Sequence, residues 1–451
     1  MKLLLILPTQ LDHDGKPIRR KKASVNLNLN LPLLAGLAPP DVEARIINDY
    51  LEDIAPDLPV DLVGITTLLT SATRAYQLGD AFRARGKKVV MGGFHATACP
   101  DEVRPHCDAL VFGEAEETWP RIIEDFRRGR LQDTYRATSQ PELKGLPVPR
   151  YELVDKRKYM VEVYPVETSR GCPHACDYCA STKFHGHRHR LRPIGEVMRD
   201  IRATKSRYIA FIDDNIIGHK EHARELFKAL IPLDIRWMAQ TTMYMADDME
   251  LLDTAVKSGM RFAWTGIESL SQANLDEVHR NINQIDEFER RIKAFQKHGV
   301  IVGTNMMFGF DNETEEQFDQ AYRFLARNRV FPFLYILTPI PGTALYDRLE
   351  REKRILHKNW TRYTSFECVI QPKNFSPEKL NDLYFGLARR IFSTKNNIRR
   401  SLPGMFHNGF SRKFPFVRWN NLVESFFIRL AGFVVYSSVS HAAKIRYPTY
   451  W

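Results

Sequence analysis

Short apolar runs alternate with amphipathic stretches over roughly the first 135 residues. The runs fall at 2–7, 43–48 (Glu-Ala-Arg-Ile-Ile-Asn), 61–66 (Asp-Leu-Val-Gly-Ile-Thr), 88–92 (Lys-Val-Val-Met-Gly) and 108–112 (Asp-Ala-Leu-Val-Phe). Compact apolar runs of this kind mark strands buried on both faces, and the stretches between them supply the covering helices of a doubly wound α/β domain. Helices are predicted over 72–86 and 115–129, closing on Gly86 and Gly129. In an open parallel sheet, ligands gather at the carboxyl ends of the strands. The candidate contacts are therefore Thr66 and Thr67, Gly92-Gly93-Phe94-His95, and Gly113-Glu114.

A proline-marked stretch, 136–165, reads as a linker to a second domain. Beyond it, strand and helix patterns alternate again, with strands near 163–168, 208–213, 236–241, 262–268, 301–309 and 333–338. Six such units predict a partial (β/α)6 barrel over 166–394, with functional groups at the strand C-termini. The last stretch, 395–451, differs. Leu422, Phe426, Leu430 and Val434 recur every four residues, so 421–436 is predicted to be a helix with one apolar stripe.

Charge and cysteine content change this picture in two places. The chain of 451 residues has a formal net charge of +11, which suggests a polyanionic partner until its location is found. Nine basic residues against the single acid Glu424 lie in 395–451, among twelve aromatics, so most of the excess sits in the tail. That tail fits packing on the barrel with its basic residues in water, or an anionic membrane interface; nucleic acid fits it less well. The six cysteines (99, 107, 172, 176, 179 and 368) are too few for a disulfide framework, which favours a reducing, cytoplasmic setting. The opening run Leu3-Leu4-Leu5-Ile6-Leu7 stops at Pro8 before Asp12 and has no cleavage site, so it reads as a first strand rather than a signal peptide.

The sharpest feature is Ser169-Arg170-Gly171-Cys172-Pro173-His174-Ala175-Cys176-Asp177-Tyr178-Cys179, just after the first predicted barrel strand. Three thiolates on one tight loop can hold three irons of a cubane and leave the fourth without a protein ligand. A small molecule bearing an amine and a carboxylate can chelate that open iron and receive an electron. A closed zinc site would need a fourth ligand, from His174, His185, His187 or His189, but a small zinc module leaves the barrel pattern unexplained.

With Tyr178 as the aromatic before the third cysteine, this loop resembles the signature of radical S-adenosylmethionine enzymes. The resemblance implies a [4Fe-4S] cluster on Cys172, Cys176 and Cys179, and reductive cleavage of S-adenosylmethionine to a 5′-deoxyadenosyl radical. It further implies contacts to S-adenosylmethionine from Tyr178, Asp213, Asp214, Gln240, Thr241 and Glu268, which stand at or beside successive strand ends. Asp213-Asp214 replaces the family's commoner Gly-Gly-Glu.

Residues 1–135, placed before such a barrel, are similar to the Rossmann-like cobalamin-binding domain of a large subclass of these enzymes. Cobalamin would lie against Thr66, Thr67, Gly92, Gly93, His95, Gly113 and Glu114, without a lower histidine ligand, because no Asp-x-His-x-x-Gly string is present. The resemblance implies methylation of an unactivated carbon in a small hydrophobic molecule, lipid or tetrapyrrole-like. A low-potential donor such as flavodoxin or ferredoxin would supply the electron, and the tail would make any peripheral contact with the inner face of the membrane. The alternatives are a cyclase or ring-rearranging enzyme without net methyl transfer, and a non-catalytic iron-sulfur or cobalamin sensor. Nucleic acid is not expected as a partner, since the chain lacks the extra cluster cysteines of tRNA methylthiotransferases. Cys368 is a candidate catalytic or radical-quenching thiol, although such a cysteine is more commonly a small buried hydrophobe.

Overall fold

In the computed structural model, which describes residues 1–280, 282–393 and 395–396, the first apolar runs form one parallel sheet. Its strands are β1 (Lys2–Leu7), β2 (Glu43–Asn48), β3 (Leu62–Thr66), β4 (Lys88–Gly92), β5 (Ala109–Phe112) and β6 (Thr134–Arg136), in the order β2-β1-β3-β4-β5-β6. Successive side chains on a strand point to opposite faces. Leu4, Ile6, Val63, Ile65, Val89 and Met91 accordingly enter one core, while Leu3, Leu5, Leu62, Val90 and Val111 enter the other. Both faces are covered, so the central runs show no polar alternation, whereas β2 at the sheet edge keeps Glu43 and Arg45 exposed.

The strand order reverses between β1 and β3, which opens a crevice at their carboxyl ends. The two helices predicted beside this sheet run over Ala72–Arg83 and Thr118–Arg127. Strand β6 escaped prediction because three residues carry no periodicity; it is held by Tyr135, whose hydroxyl donates to Asp125 at 3.0 Å.

Residues 136–165 form a packed strap rather than a free linker. Leu143, Leu146 and Tyr151 are buried, and the Tyr151 hydroxyl donates to the Pro165 carbonyl at 2.9 Å. The strap leads into β7 (Tyr164–Val166) and then into an antiparallel pair, β8 (Ser169–Arg170) and β9 (Arg190–Leu191), with the cysteine loop between them. There follow β10 (Tyr208–Phe211), β11 (Arg236–Gln240), β12 (Met260–Glu268), β13 (Ile301–Phe308) and β14 (Phe331–Ile336).

These strands pair in parallel in the order β14-β13-β12-β11-β10-β7, so each new strand adds to the same edge and the barrel stays open between β7 and β14. The sequence pattern had placed all six. Trp237, Ala263, Ile267, Leu334 and Ile336 face the outer helices in one large core, whereas Met238, Gln240, Phe262, Trp264, Asn305 and Phe333 are half-buried or exposed between them. The alternation puts this second set on the inner face.

Helix Pro377–Ile391 closes the described part of the barrel. Ser376 caps it by accepting from the Lys379 amide, and the Tyr384 hydroxyl donates to the Leu334 carbonyl at 2.9 Å. Cys368 belongs to this core: its thiol donates to the Ile370 carbonyl at 3.1 Å, and burial pushes its pKa up to about 11. It lines no part of the cavity at the cysteine loop. The helix predicted over 421–436 and the basic residues of the tail beyond Lys395 lie outside the described residues. Among the described residues, no helix is long and apolar enough to cross a membrane.

Candidate functional site

The cysteine loop begins at Gly171, whose φ is +89°, a conformation that favours glycine. A Cβ there would stand 2.3 Å from the Arg188 carbonyl oxygen, so the entry to the loop requires bare backbone. The turn is closed by the Cys179 amide, which donates to the Cys176 carbonyl at 3.0 Å, and Cys179 stands at the N-cap of helix Ala180–His185. The segment after β12 holds the loop from the other side: the Asp177 amide donates to the Val278 carbonyl at 3.2 Å, and His279 Nδ1 lies 2.9 Å from the Asp177 carboxylate.

Cys172, Cys176 and Cys179 line one cavity of about 200 Å³ at the barrel mouth. Five of the six residues expected to touch S-adenosylmethionine line it too: Tyr178, Asp214, Gln240, Thr241 and Glu268. Asp213 does not. Adjacent residues at a strand end project to opposite sides, and the Asp213 carboxylate turns inward, accepting from the Thr168 hydroxyl and the Ser169 hydroxyl, both at 2.6 Å. Burial pushes its pKa up to about 7 against these hydrogen bonds. It ties β7 and β8 to the end of β10 and offers the cavity nothing.

Asp214 supports the loop from the cavity wall, accepting from the Gly171 amide at 3.1 Å and lying 3.1 Å from His185 Nδ1. Burial acts to raise its pKa, but His185, Ser181 and the Gly171 amide together offset this and hold it below the ordinary carboxylate value. Glu268 sits at φ +65°, where the β12–β13 register shifts, an uncommon backbone state for a residue with a side chain. Burial raises its pKa, opposed by Arg280 and by a hydrogen bond with Tyr178.

Arg280, Asn215 and Trp264 also line the cavity without having been assigned to it from sequence. The buried amide nitrogen and oxygen of Asn215 have no hydrogen-bond partner. A wall of three thiols with an orphaned buried amide beside them fits a [4Fe-4S] cluster with S-adenosylmethionine against it. Burial pushes the Cys172 thiol up to about 11, so cluster binding would also have to displace its proton.

In the first domain the expected contacts divide. Thr66, Gly92, Gly93 and Gly113 present the ends of β3, β4 and β5, and the space a Cβ would occupy at Gly113 is open to 4 Å. The bare end at Gly113 fits a broad flat ligand like a corrin, whereas a Cβ at Gly92 would lie 3.2 Å from Val111 and one at Gly93 3.1 Å from Thr66 and Thr67, so those two glycines serve packing between the strand ends. The other three side chains are engaged elsewhere. Thr67 Oγ1 donates to the Gly92 carbonyl at 2.9 Å and accepts from the Ala96 amide at 3.0 Å. Glu114 pairs with Arg170 and Arg190 of the second domain. His95 is wholly buried, with Nε2 2.7 Å from the Tyr76 hydroxyl and its ring edge-on to Trp360.

Burial pulls the His95 pKa down to about 4. The folded protein therefore keeps this ring neutral while the unfolded chain protonates it below its ordinary value of 6.5. Stability from this residue is complete above pH 6.5 and is lost as pH falls from there towards 4, by roughly 3 kcal/mol. Urea unfolding of His95→Gln is expected to show a weaker fall in stability over that window than the parent protein. Equal slopes would mean that His95 does not titrate this way.

Comparison with known proteins places both halves. The radical SAM superfamily model matches residues 166–325, and the B12 binding domain model matches 34–123. The chain is similar to bacteriochlorophyllide d C-12(1)-methyltransferase of Chlorobaculum tepidum, 29% identical over 390 residues that cover 84% of this chain and 85% of that protein. It is also similar to the anaerobic magnesium-protoporphyrin IX monomethyl ester cyclase of Rubrivivax gelatinosus, 24% identical over 423 residues that cover 83% and 75% of the two chains. The solved structure of the radical S-adenosylmethionine methyltransferase TsrM from Kitasatospora setae, with cobalamin and [4Fe-4S] cluster bound, superposes with a TM-score of 0.64 at 15% identity. That match covers 95% of this chain and 99% of TsrM, and it shows the same fold.

Proposed function

Since the chain belongs to the radical SAM superfamily and carries a B12-binding domain, we propose that it methylates an unactivated carbon of a small hydrophobic molecule, tetrapyrrole-like or lipid. The observation that carries this reading is the wall beside the cysteines. Trp264 lines the cavity and stacks on Phe333 with centroids 4.2 Å apart, and Phe262 meets Trp264 edge-on at 6.4 Å. The indole N–H donates to Asn305 Oδ1 at 2.6 Å, which fixes the ring plane. Trp264 thus presents one fixed, flat apolar face in a cavity whose remaining lining is mostly polar, and a face of this kind suits part of a flat or polycyclic substrate.

In this reading Cys172, Cys176 and Cys179 hold the cluster, and Tyr178, Asp214, Gln240, Thr241 and Glu268 orient S-adenosylmethionine. Thr66 and Gly113 receive the corrin, at strand ends packed through Gly92 and Gly93. When bound, the cluster supplies one electron to S-adenosylmethionine and the corrinoid supplies the methyl group. The chain itself orients these groups and keeps water from them, which is where a radical reaction needs help from protein. A flavodoxin- or ferredoxin-type donor would deliver the electron, and the setting is cytoplasmic, with the tail as the contact to any membrane.

The test is an anaerobic reaction of cluster-loaded, cobalamin-loaded protein with methyl-deuterated S-adenosylmethionine. Bacteriochlorophyllide and polycyclic lipid extracts are offered as substrates. A substrate carrying the labelled methyl, together with 5′-deoxyadenosine, is expected. An altered but unlabelled ring would establish the cyclase alternative, which the cyclase relative supports. Absence of 5′-deoxyadenosine under strong reduction would favour the sensor.

A further inference from the structure

Arg280 is the charged residue of the cavity that neither the S-adenosylmethionine nor the corrin assignment uses. Its guanidinium Nη1 donates to Cys176 Sγ at 3.2 Å, and Nη2 stands 3.9 Å from Glu268 Oε1. Only 12% of its side-chain surface is exposed, and its Nε has no hydrogen-bond partner. Cys176 is itself the buried member of the three cysteines, whereas Cys172 and Cys179 are half-buried.

Backbone contacts hold this arginine in place. Its amide donates to the Leu275 carbonyl at 2.9 Å. Asn283 Nδ2 donates to the carbonyls of Gly266 and Ile267, at 3.1 and 2.7 Å, which pins the segment to the end of β12. The same segment grips the cysteine loop through Val278 and His279. Room for the pair is made at Gly266, where a Cβ would lie 2.0 Å from Glu268 Oε1 and 3.0 Å from Arg280 Nη2.

An arginine keeps its charge at every accessible pH, and its planar fork gives directed N–H bonds. Hydrogen bonds to the sulfur ligands, local charge and solvent exclusion are the protein's means of setting a cluster's reduction potential. All three act here on one thiol. We propose that Arg280 is a positioning residue for electron transfer, which acts through Cys176 to make the bound cluster easier to reduce. The inference rests on the assignment of the cluster to Cys172, Cys176 and Cys179. It adds that the three ligands are unequal, with Cys176 under a fixed positive charge.

The experiment is a redox titration of cluster-loaded protein followed by electron paramagnetic resonance, with dithionite and mediators and without S-adenosylmethionine. Wild type, Arg280→Gln, Arg280→Lys and Glu268→Gln are compared, with iron and sulfide content and circular dichroism checked for each. Arg280→Gln is expected to lower the reduced-to-oxidised ratio at a given potential about tenfold, equivalent to about 59 mV for a one-electron couple. Arg280→Lys should recover most of that loss, because it keeps the charge. Glu268→Gln should shift the midpoint the other way, since it removes the carboxylate facing the guanidinium.

A fully loaded Arg280→Gln protein with the wild-type midpoint would overturn the inference alone. Should Arg280→Gln take up no iron, Glu268→Gln decides: a midpoint at or below that of wild type overturns the inference, and a higher one supports it. Wild-type protein that takes up no cluster overturns the cluster assignment and this inference with it.

Discussion

Replacing Cys172, Cys176 and Cys179 together with alanine is expected to abolish iron binding and S-adenosylmethionine cleavage while leaving the fold standing. The loop's shape is set mainly by its backbone. Gly171 sets the entry, the Cys179 amide closes the turn on the Cys176 carbonyl, and the Asp177 amide is held by the Val278 carbonyl. Sulfur is used directly by Arg280, which donates to Cys176, and by the His174 amide beside Cys172, and Cys172 and Cys179 are half-buried. Loss of small side chains at such positions costs about 1 kcal/mol each or less. Iron and sulfide content, the visible absorption of the reconstituted protein and 5′-deoxyadenosine formation should all fall below detection, with far-ultraviolet circular dichroism unchanged. Brown colour or cleavage that persists in the triple variant would mean that the cluster sits elsewhere.

The two sheets were legible in the sequence because burial on both faces writes a central strand as a nearly continuous apolar run, as 88–92 does for β4 end to end, while 43–48 matches the edge strand β2 although its Glu43 and Arg45 are exposed. The cysteine loop was legible because its chemistry is local, three thiols within eight residues. What escaped depends on pairings across the chain. Arg280 reaches Cys176 from 104 residues away, out of a loop with no periodicity. Asp213 and Asp214 are equivalent in composition, and only the direction of each side chain at the end of β10 separates a support for the backbone from a wall of the cavity. Glu114 follows a strand and a glycine, the usual place for a ligand contact in an open sheet, yet its carboxylate is taken by arginines 56 and 76 residues further on. Spacing reports where a strand ends. It does not report which distant charge waits there.

That last pairing yields the largest expected effect on stability: Glu114→Ala should destabilise the protein by about 3–5 kcal/mol. Glu114 is buried in the first domain and accepts from Arg170 Nη1 at 2.5 Å and from Arg190 Nη1 at 3.0 Å, both on the β8–β9 pair that carries the cysteine loop. Arg170 would keep Glu116 at 2.5 Å and Glu167 at 2.7 Å. Arg190 would not be so protected. Its side chain is 2% exposed, and without Glu114 its remaining acceptors are the neutral carbonyls of Pro141 and His185. An uncompensated buried cation is the costly product, so Arg190→Met in the Glu114→Ala background should recover much of the loss, and the double variant should be far more stable than the two single effects predict. The stabilisation is also pH-dependent. Burial raises the Glu114 pKa, but Arg190 and Arg170 more than offset it and hold it below 4.5, so the contribution is present above that pH and is lost as acid protonates the folded carboxylate. Urea unfolding monitored by tryptophan fluorescence reads all of these, and iron uptake by the same variants reads the consequence for the loop, which should load less cluster once β8 and β9 lose their anchor to the first domain. Glu114→Ala protein within 1 kcal/mol of wild type would mean that the two domains are held together by other contacts, of which the Trp360 indole N–H donating to Glu102 at 2.6 Å is the next to test.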